Sequence, residues 1–297
     1  MAIKIRGKND LIFDTINYVL LTIIFFIIVL PLIHVLSASI SNPKEVMAGN
    51  VYLLPKDFSL EAYKGVFDHK DIMTGYRNTI FYTILGTIIN VIMTICGAYP
   101  LSKKDFPGRN IFTVIFAFTM FFSGGLIPTY LVVQELGLVN TIWALLLPGA
   151  VSMYNMVIMR TFFQTNIPAE LHEAALLDGC SNINILLKIV LPLSKAILAV
   201  VTLFYAVGHW NSYFSALIYI TDRNKYPLQL FLREVLVINR MNEMITTMDE
   251  SAMISKVTLG EGIKYAVIII ANLPVLMFYP FLQKYFVKGI MIGAIKG

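Results

Sequence analysis

Charge is scarce in this sequence. Only 14% of its 297 residues are charged, whereas a soluble domain averages about 25%. No long polar block exists from which a separate soluble domain could form. Cysteine is scarcer still, with two residues, too few for a disulfide framework. Cys96 lies inside a hydrophobic block and Cys180 in a linker, so both read as free thiols. No G-x-x-x-x-G-K-[ST] phosphate loop occurs, which excludes nucleotide binding by that motif. There is no H-E-x-x-H and no cysteine/histidine cluster at metal spacing, so no metal site is expected. No G-x-S-x-G elbow occurs either, and no catalytic residue is assigned. Carboxylates are missing from the depths of the apolar blocks. This weighs against a proton-coupled carrier, although sodium can be held by carbonyls and hydroxyls alone, which leaves a secondary transporter open. The four histidines, His34, His69, His172 and His209, are scattered, and structural or surface roles are expected for them.

What is abundant is apolar length. Hydrophobic residues make up 57% of the chain, and its mean hydropathy is +0.73. A membrane-crossing helix needs about 20 apolar residues. Six blocks qualify: 15–37, 78–101, 111–133, 141–163, 193–220 and 265–287. The fold class expected is an all-α integral membrane protein with six transmembrane helices and a single domain over residues 1–297. The first block is flanked by "IKIRGK" and "LSAS", as a signal peptide can be, but its apolar run exceeds the usual signal core of about 7–15 residues. With the N-terminus inside, the inner segments and their span ends hold twelve basic and six acidic residues, and the outer ones eleven and twelve. The positive-inside rule then favours both termini in the cytoplasm. The net charge of +5 reads as orientation rather than nucleic-acid binding. Two long outer segments, 38–77 and 221–264, are candidate functional loops.

The linker between the fourth and fifth blocks, 166–192, falls on the cytoplasmic side. It begins "NIPAELHEAALLDG". Asn166 suits an N-cap and Pro168 a first helical turn. Glu170 and Glu173 lie towards the N-terminal end, where the helix dipole favours negative charge. Gly179 is the expected stop. Leu171, Ala174, Ala175 and Asp178 share a slim face that another surface could approach closely. About 11 residues make a helix that is marginal alone in water. Asp178 sits at the unfavourable end of the dipole, at a cost of roughly 0.3–1 kcal/mol. A helix resting on lipid headgroups would be basic with large apolar anchors. This one is acidic and slim, which points to a protein contact.

The stretch "EAALLDG", a gap of nine residues and then "IVLP" resembles the EAA motif of permease subunits of binding-protein-dependent ABC importers. The match falls on Glu173, Ala174, Ala175, Asp178, Gly179, Ile189, Leu191 and Pro192. The stretches "SLEAYKGVF", "GYRNTI", "AYPLSKKDFPGR", "GGLIPTYLVVQELGLVNTIWALLLP" and "KGIMIGAIKG" extend the resemblance to carbohydrate-type permeases. One departure is Cys180, which stands where many relatives carry alanine.

This resemblance implies the type I ABC importer permease fold and a place in a bacterial cytoplasmic membrane. It implies an importer of an oligosaccharide or polysaccharide fragment, a peptide or other solute being the alternative. The chain itself would carry no cofactor; ATP and magnesium would belong to an ATP-binding subunit dimer. A second, homologous permease and an extracytoplasmic solute-binding protein would complete the assembly. No nucleic-acid partner is implied. The ATPase-coupling residues would be Glu170, Glu173, Ala174, Ala175, Asp178, Gly179, Leu191 and Pro192. The external 221–264 segment would meet the binding protein, and the tail 288–297 is a second candidate contact with the ATPase. Aromatic rings and amides hold sugars, so Asn155, Trp210, Asn211 and Tyr213 are substrate candidates; helix packing is their competing role.

Overall fold

The computed structural model describes residues 8–235, 258 and 260–277. Helices dominate: α1 (Lys8–Ser39), α2 (Pro43–Met47), α3 (Glu61–Asp68), α4 (Lys70–Ser102), α5 (Arg109–Phe121), α6 (Leu126–Glu135), α7 (Trp143–Leu146) and α8 (Met153–Asn166). They continue as α9 (Ala169–Leu177), α10 (Asn182–Ile185), a π turn at Leu186–Val190, α11 (Leu191–Leu193), α12 (Lys195–Trp210) and α13 (Phe214–Tyr219). A helix over 228–235, α14, and Gly260–Met277, α15, complete the set. Among the described residues the one β pairing is an isolated bridge between Ser41 and Phe58. The chain divides into two compact units: residues 1–70 with 232–272, and residues 71–231 with 273–297.

In the first unit, α1 spends its apolar length on its surroundings. None of its most apolar window is buried within the chain. Its hydroxyls fold back onto the helix, Thr15 Oγ1 donating to Leu11 O at 2.8 Å and Thr22 Oγ1 to Tyr18 O at 2.7 Å. Backbone and hydroxyl groups in lipid must be satisfied internally, and these are. The "LSASIS" stretch that ends α1 organises the next loop. Ser37 Oγ donates to Leu53 O, Ser41 Oγ accepts from Lys56 N, and Ser39 Oγ lies 2.9 Å from Tyr63 OH. Serines 37, 39 and 41 are all buried.

In the second unit the core is built on α4. Three glycines recur on it every eleven residues, Gly75, Gly86 and Gly97, which places them on one face. Each marks a close approach: Gly75 to Leu228 and Phe231, Gly86 to His209, Gly97 to Met156 Sδ. Between them runs a buried polar stripe of Thr79, Thr87, Asn90 and Thr94. The main apolar cluster joins Ala98, Tyr99 and Leu101 of α4 to Met156, Met159 and Phe163 of α8. It takes in Ala175, Ile185 and Val190 of the linker and Ile197, Val201 and Tyr205 of α12.

Several apolar blocks are not single helices. The third block, 111–133, is α5 and α6 meeting at 115°. "SGG" is the cause: Gly125 has φ 84° and ψ −176°, a region essentially confined to glycine. The fourth, 141–163, holds only short α7 before Pro148 and Gly149 interrupt it, and α8 starts at Met153 under an Ser152 cap. The fifth, 193–220, starts as a helix at Lys195 and breaks at 211–213 before α13. The second block begins eight residues earlier than its apolar stretch, at Lys70. Among the described residues three helices, α1, α4 and α15, are long and apolar enough to cross a bilayer alone, and the two bent pairs raise the number to five. The end of the sixth block and the tail 288–297 lie outside the described residues, as does most of the loop before α15.

Candidate functional site

The linker helix α9 is held from inside and open outside. Ala175 is only 6% exposed and belongs to the apolar cluster. Ala174, Glu170 and Glu173 are exposed, and Leu177 is 90% exposed. Residues 170, 173, 174 and 177 follow the helical i, i+3, i+4, i+7 spacing and form one outward face. The slim face expected from Leu171, Ala174, Ala175 and Asp178 is therefore divided. Ala175 lets α9 lie against its own body, whereas Ala174 faces out. Two carboxylates, one small residue and one bare leucine remain without cover. Leu177 was not singled out by residue type, yet its i+4 relation to Glu173 would have found it.

Asn166 does not cap α9. It is the last residue of α8, where its Nδ2 donates to Phe162 O and Thr165 Oγ1. Pro168 takes the cap position, and no side chain caps α9. At the other end Gly179 has φ 77°. Its N–H donates to Leu176 O at 3.0 Å and the Cys180 N–H to Ala175 O at 2.9 Å. Together these form the glycine-dependent Schellman stop. Asp178 is the C-cap and is exposed. Leu191 and Pro192 lie in α11, after the π turn, and the chain bends by 85° between that run and α12.

Beside α9 lies a cleft of about 520 Å³ lined by Lys103, Lys104, Asp105, Arg109, Gln164, His172 and Glu173 among others. Burial lowers the Lys103 pKa, an effect that Asp105 partly offsets. Burial also lowers the His172 pKa, with Lys103 adding to the fall and Asp105 and Glu173 opposing it. Above the cleft α4 ends, and its last carbonyls lack helical partners. Three side chains meet them. Arg160 Nε donates to Leu101 O at 3.0 Å, Arg109 Nε to the same oxygen at 3.1 Å, and Gln164 Nε2 to Ser102 O at 3.3 Å. Residue-type reasoning passed these by; Arg160, a cation at the end of an apolar block, was the available signal.

Further along α4, polar groups repair the interrupted fourth block. Asn90 Nδ2 donates to Gly149 O at 3.0 Å, and His209 Nε2 lies 3.3 Å from Asn90 Oδ1. Tyr205 OH accepts from Ser152 N at 3.0 Å and lies 2.7 Å from Thr94 Oγ1. Irregular backbone at membrane depth is tolerated where protein groups satisfy it. The four substrate candidates are not presented alike. Asn155 is buried, while Trp210 packs edge-on to Tyr76 at 5.7 Å and lines an apolar cleft with Ile80, Ile84 and Val207. Asn211 and Tyr213 occupy the exposed break between α12 and α13, the Asn211 Nδ2 donating to Val207 O.

At the opposite end of α4 the chain after α13 is pinned. Asn140, with φ 59°, accepts at Oδ1 from the N–H groups of Thr221 and Asp222. Lys225 Nζ donates to Asn140 O at 2.9 Å. Asn78 Nδ2 donates to Asn224 O and Tyr226 O, and Arg223 pairs with Asp71 at 2.9 Å. The Asn224 backbone N–H holds the half-buried Asp222 carboxyl below its ordinary pKa. The start of the expected 221–264 loop is thus rigid; most of its remainder lies outside the described residues.

Broken apolar helices around a polar-striped helix, with an acidic helix turned outward from the body, make a multi-span membrane component. The chain belongs to the family described as "Binding-protein-dependent transport system inner membrane component", which matches residues 72–292. It is 44% identical to Protein LplC of Bacillus subtilis (strain 168) over 98% of this chain and 97% of that one. It is 42% identical to the polygalacturonan/rhamnogalacturonan transport system permease protein YtcP of the same organism, over 98% and 100%. A chain in the crystal structure of a bacterial ABC transporter involved in the import of the acidic polysaccharide alginate aligns with a TM-score of 0.86 and 37% identity, covering 95% of this chain and 99% of that one. The chain is accordingly a transport subunit of the inner membrane.

Proposed function

We propose that this chain is the permease subunit of an ABC importer for an oligosaccharide cut from a plant or microbial polysaccharide, and that uronate-containing fragments are its preferred class. Similarity above 40% over nearly the whole length to a polygalacturonan/rhamnogalacturonan permease carries this reading. The likeness to a chain of an alginate importer supports it from a second acidic polymer. Six crossings with both termini in the cytoplasm fit the charge distribution. The broken blocks then supply the third, fourth and fifth crossings, with irregular backbone turned towards the path. A second permease completes that path, and an extracytoplasmic binding protein delivers the sugar.

ATP and magnesium are held by a pair of partner ATPase subunits, since this chain has no phosphate loop. The outward face of α9, Glu170, Glu173, Ala174 and Leu177, enters a cleft of the ATPase. Gly179, Asp178, Leu191 and Pro192 set the angle of α9 against the body. Hydrolysis drives transport only if the ATPase binds the permease's two states with different free energy. Asn211 and Tyr213, exposed at a helix break, are the best placed of the sugar-contact candidates.

The test is calorimetric titration of the cognate binding protein with galacturonate oligosaccharides, neutral oligosaccharides and peptides, followed by ATPase assay of the reconstituted complex. Uronate binding that stimulates hydrolysis is the expected result. Binding of peptides alone would replace the carbohydrate reading with the peptide one.

A further inference from the structure

The contacts of α4 with α8 and with the turn that precedes it have one register. Asn90 reaches Gly149 O, and Arg160 reaches Leu101 O, and in both cases the partner is 59 positions away. Gly97 meets Met156 at the same offset. A constant offset means that the two segments run side by side in the same direction, locked at three heights. The lowest lock is the strongest. The C-terminal end of a helix carries partial negative charge, and cations there are stabilising. Here two guanidiniums and one amide converge on the last carbonyls of α4, and Leu101 is buried. Neither Arg109 nor Arg160 has a carboxylate at ion-pair distance among the described residues, so both charges serve this helix end.

The lock also lies next to α9. Arg160 and Gln164 are one turn apart on α8, and only Ile167 and Pro168 separate the end of α8 from the start of α9. The end of α8 is thus tied to α9 by a two-residue connection. We propose that Arg160, with Arg109 and Gln164, is a latch that makes the inner end of α4 follow the linker helix. It converts displacement of α9 into movement of α4 and of the Asn90–His209 contact it carries. These are positioning residues, and the proposal rests on the reading that α9 docks on an ATPase.

The assembled importer in proteoliposomes tests it, through sugar imported per ATP hydrolysed. Arg160→Ala is expected to keep binding-protein-stimulated hydrolysis while import per ATP falls about tenfold, and Arg160→Lys, with a single donor group, to lower it about threefold. An unchanged ratio in Arg160→Ala would overturn the latch. A second arm covers failure of that variant to assemble. Cysteines at Ser102 and Gln164, in a background carrying Cys96→Ser and Cys180→Ser, are joined by a short reducible thiol cross-linker. Import should continue when the latch is locked; loss on cross-linking, restored by reduction, would show that α8 slides on α4 and overturn the proposal. Glu173→Lys separates the underlying reading, because it should abolish stimulated hydrolysis itself. If Glu173→Lys keeps full hydrolysis and import, docking through α9 fails, whatever the latch variants do.

Discussion

α1 and α4 are nearly equal in length, 32 and 33 residues, and nearly opposite in construction. The best window of α1 has mean hydropathy 3.0 and none of it is buried within the chain; that of α4 has 1.9 and 28% is buried. In water the more apolar helix would be the more buried. In a bilayer the lipid is as apolar as leucine, so hydropathy alone does not draw helices together. What draws α4 inward is what lowers its hydropathy: glycines that admit neighbours and hydroxyls and amides that need partners. α1 has little of either before Ser37, and most of its apolar side chains up to that point are exposed.

Three substitutions test that contrast, from the largest expected effect downwards. Gly97→Leu in α4 drives a side chain into Met156, which is itself fully buried. Overpacking of this kind costs about 1–3 kcal/mol, and the upper end is expected because the whole α4–α8 register must part. It should appear as a markedly lower thermal midpoint in detergent. Asn90→Leu keeps the branching of the side chain but strands Gly149 O and His209. Leaving one buried polar group unmet costs about 1–3 kcal/mol, tempered here to about 1 kcal/mol by the weaker net bonds seen in membrane helices. Leu20→Ala in α1 should change the midpoint least, within about 0.5 kcal/mol. A loss at Leu20 as large as that at Gly97 would break the comparison, since α1 would then be packed as tightly as α4.

The residues differ in how legible they were. The EAA stretch could be read directly because its parts are local: a glycine stop needs no distant partner, and Gly179 adopts the left-handed turn its neighbours demand. Asn166 misled because an N-cap and a helix C-terminal residue are both polar, and only the path of the backbone tells them apart. Apolar length located the crossings but not their breaks. "SGG" and "PG" were visible in the sequence, yet whether a helix continues through them depends on whether side chains such as Asn90 and Tyr205 meet the freed backbone groups. The substrate candidates shared a composition and not an environment, and Trp210 turned to an apolar cleft while Asn211 and Tyr213 remained open.

The sequence by itself determined that this chain lives in a bilayer and that residues 173–192 carry the motif of a permease family. These depend on summed transfer free energy and on a contiguous motif, neither of which requires long-range contact. The tertiary structure alone decided that Ala175 faces in and Ala174 out, that Leu177 stands bare beside Glu173, and that Arg109, Arg160 and Gln164 gather at one helix end. Those facts depend on which face each helix turns to its neighbours. Residues 59 positions apart become neighbours only when two helices lie side by side.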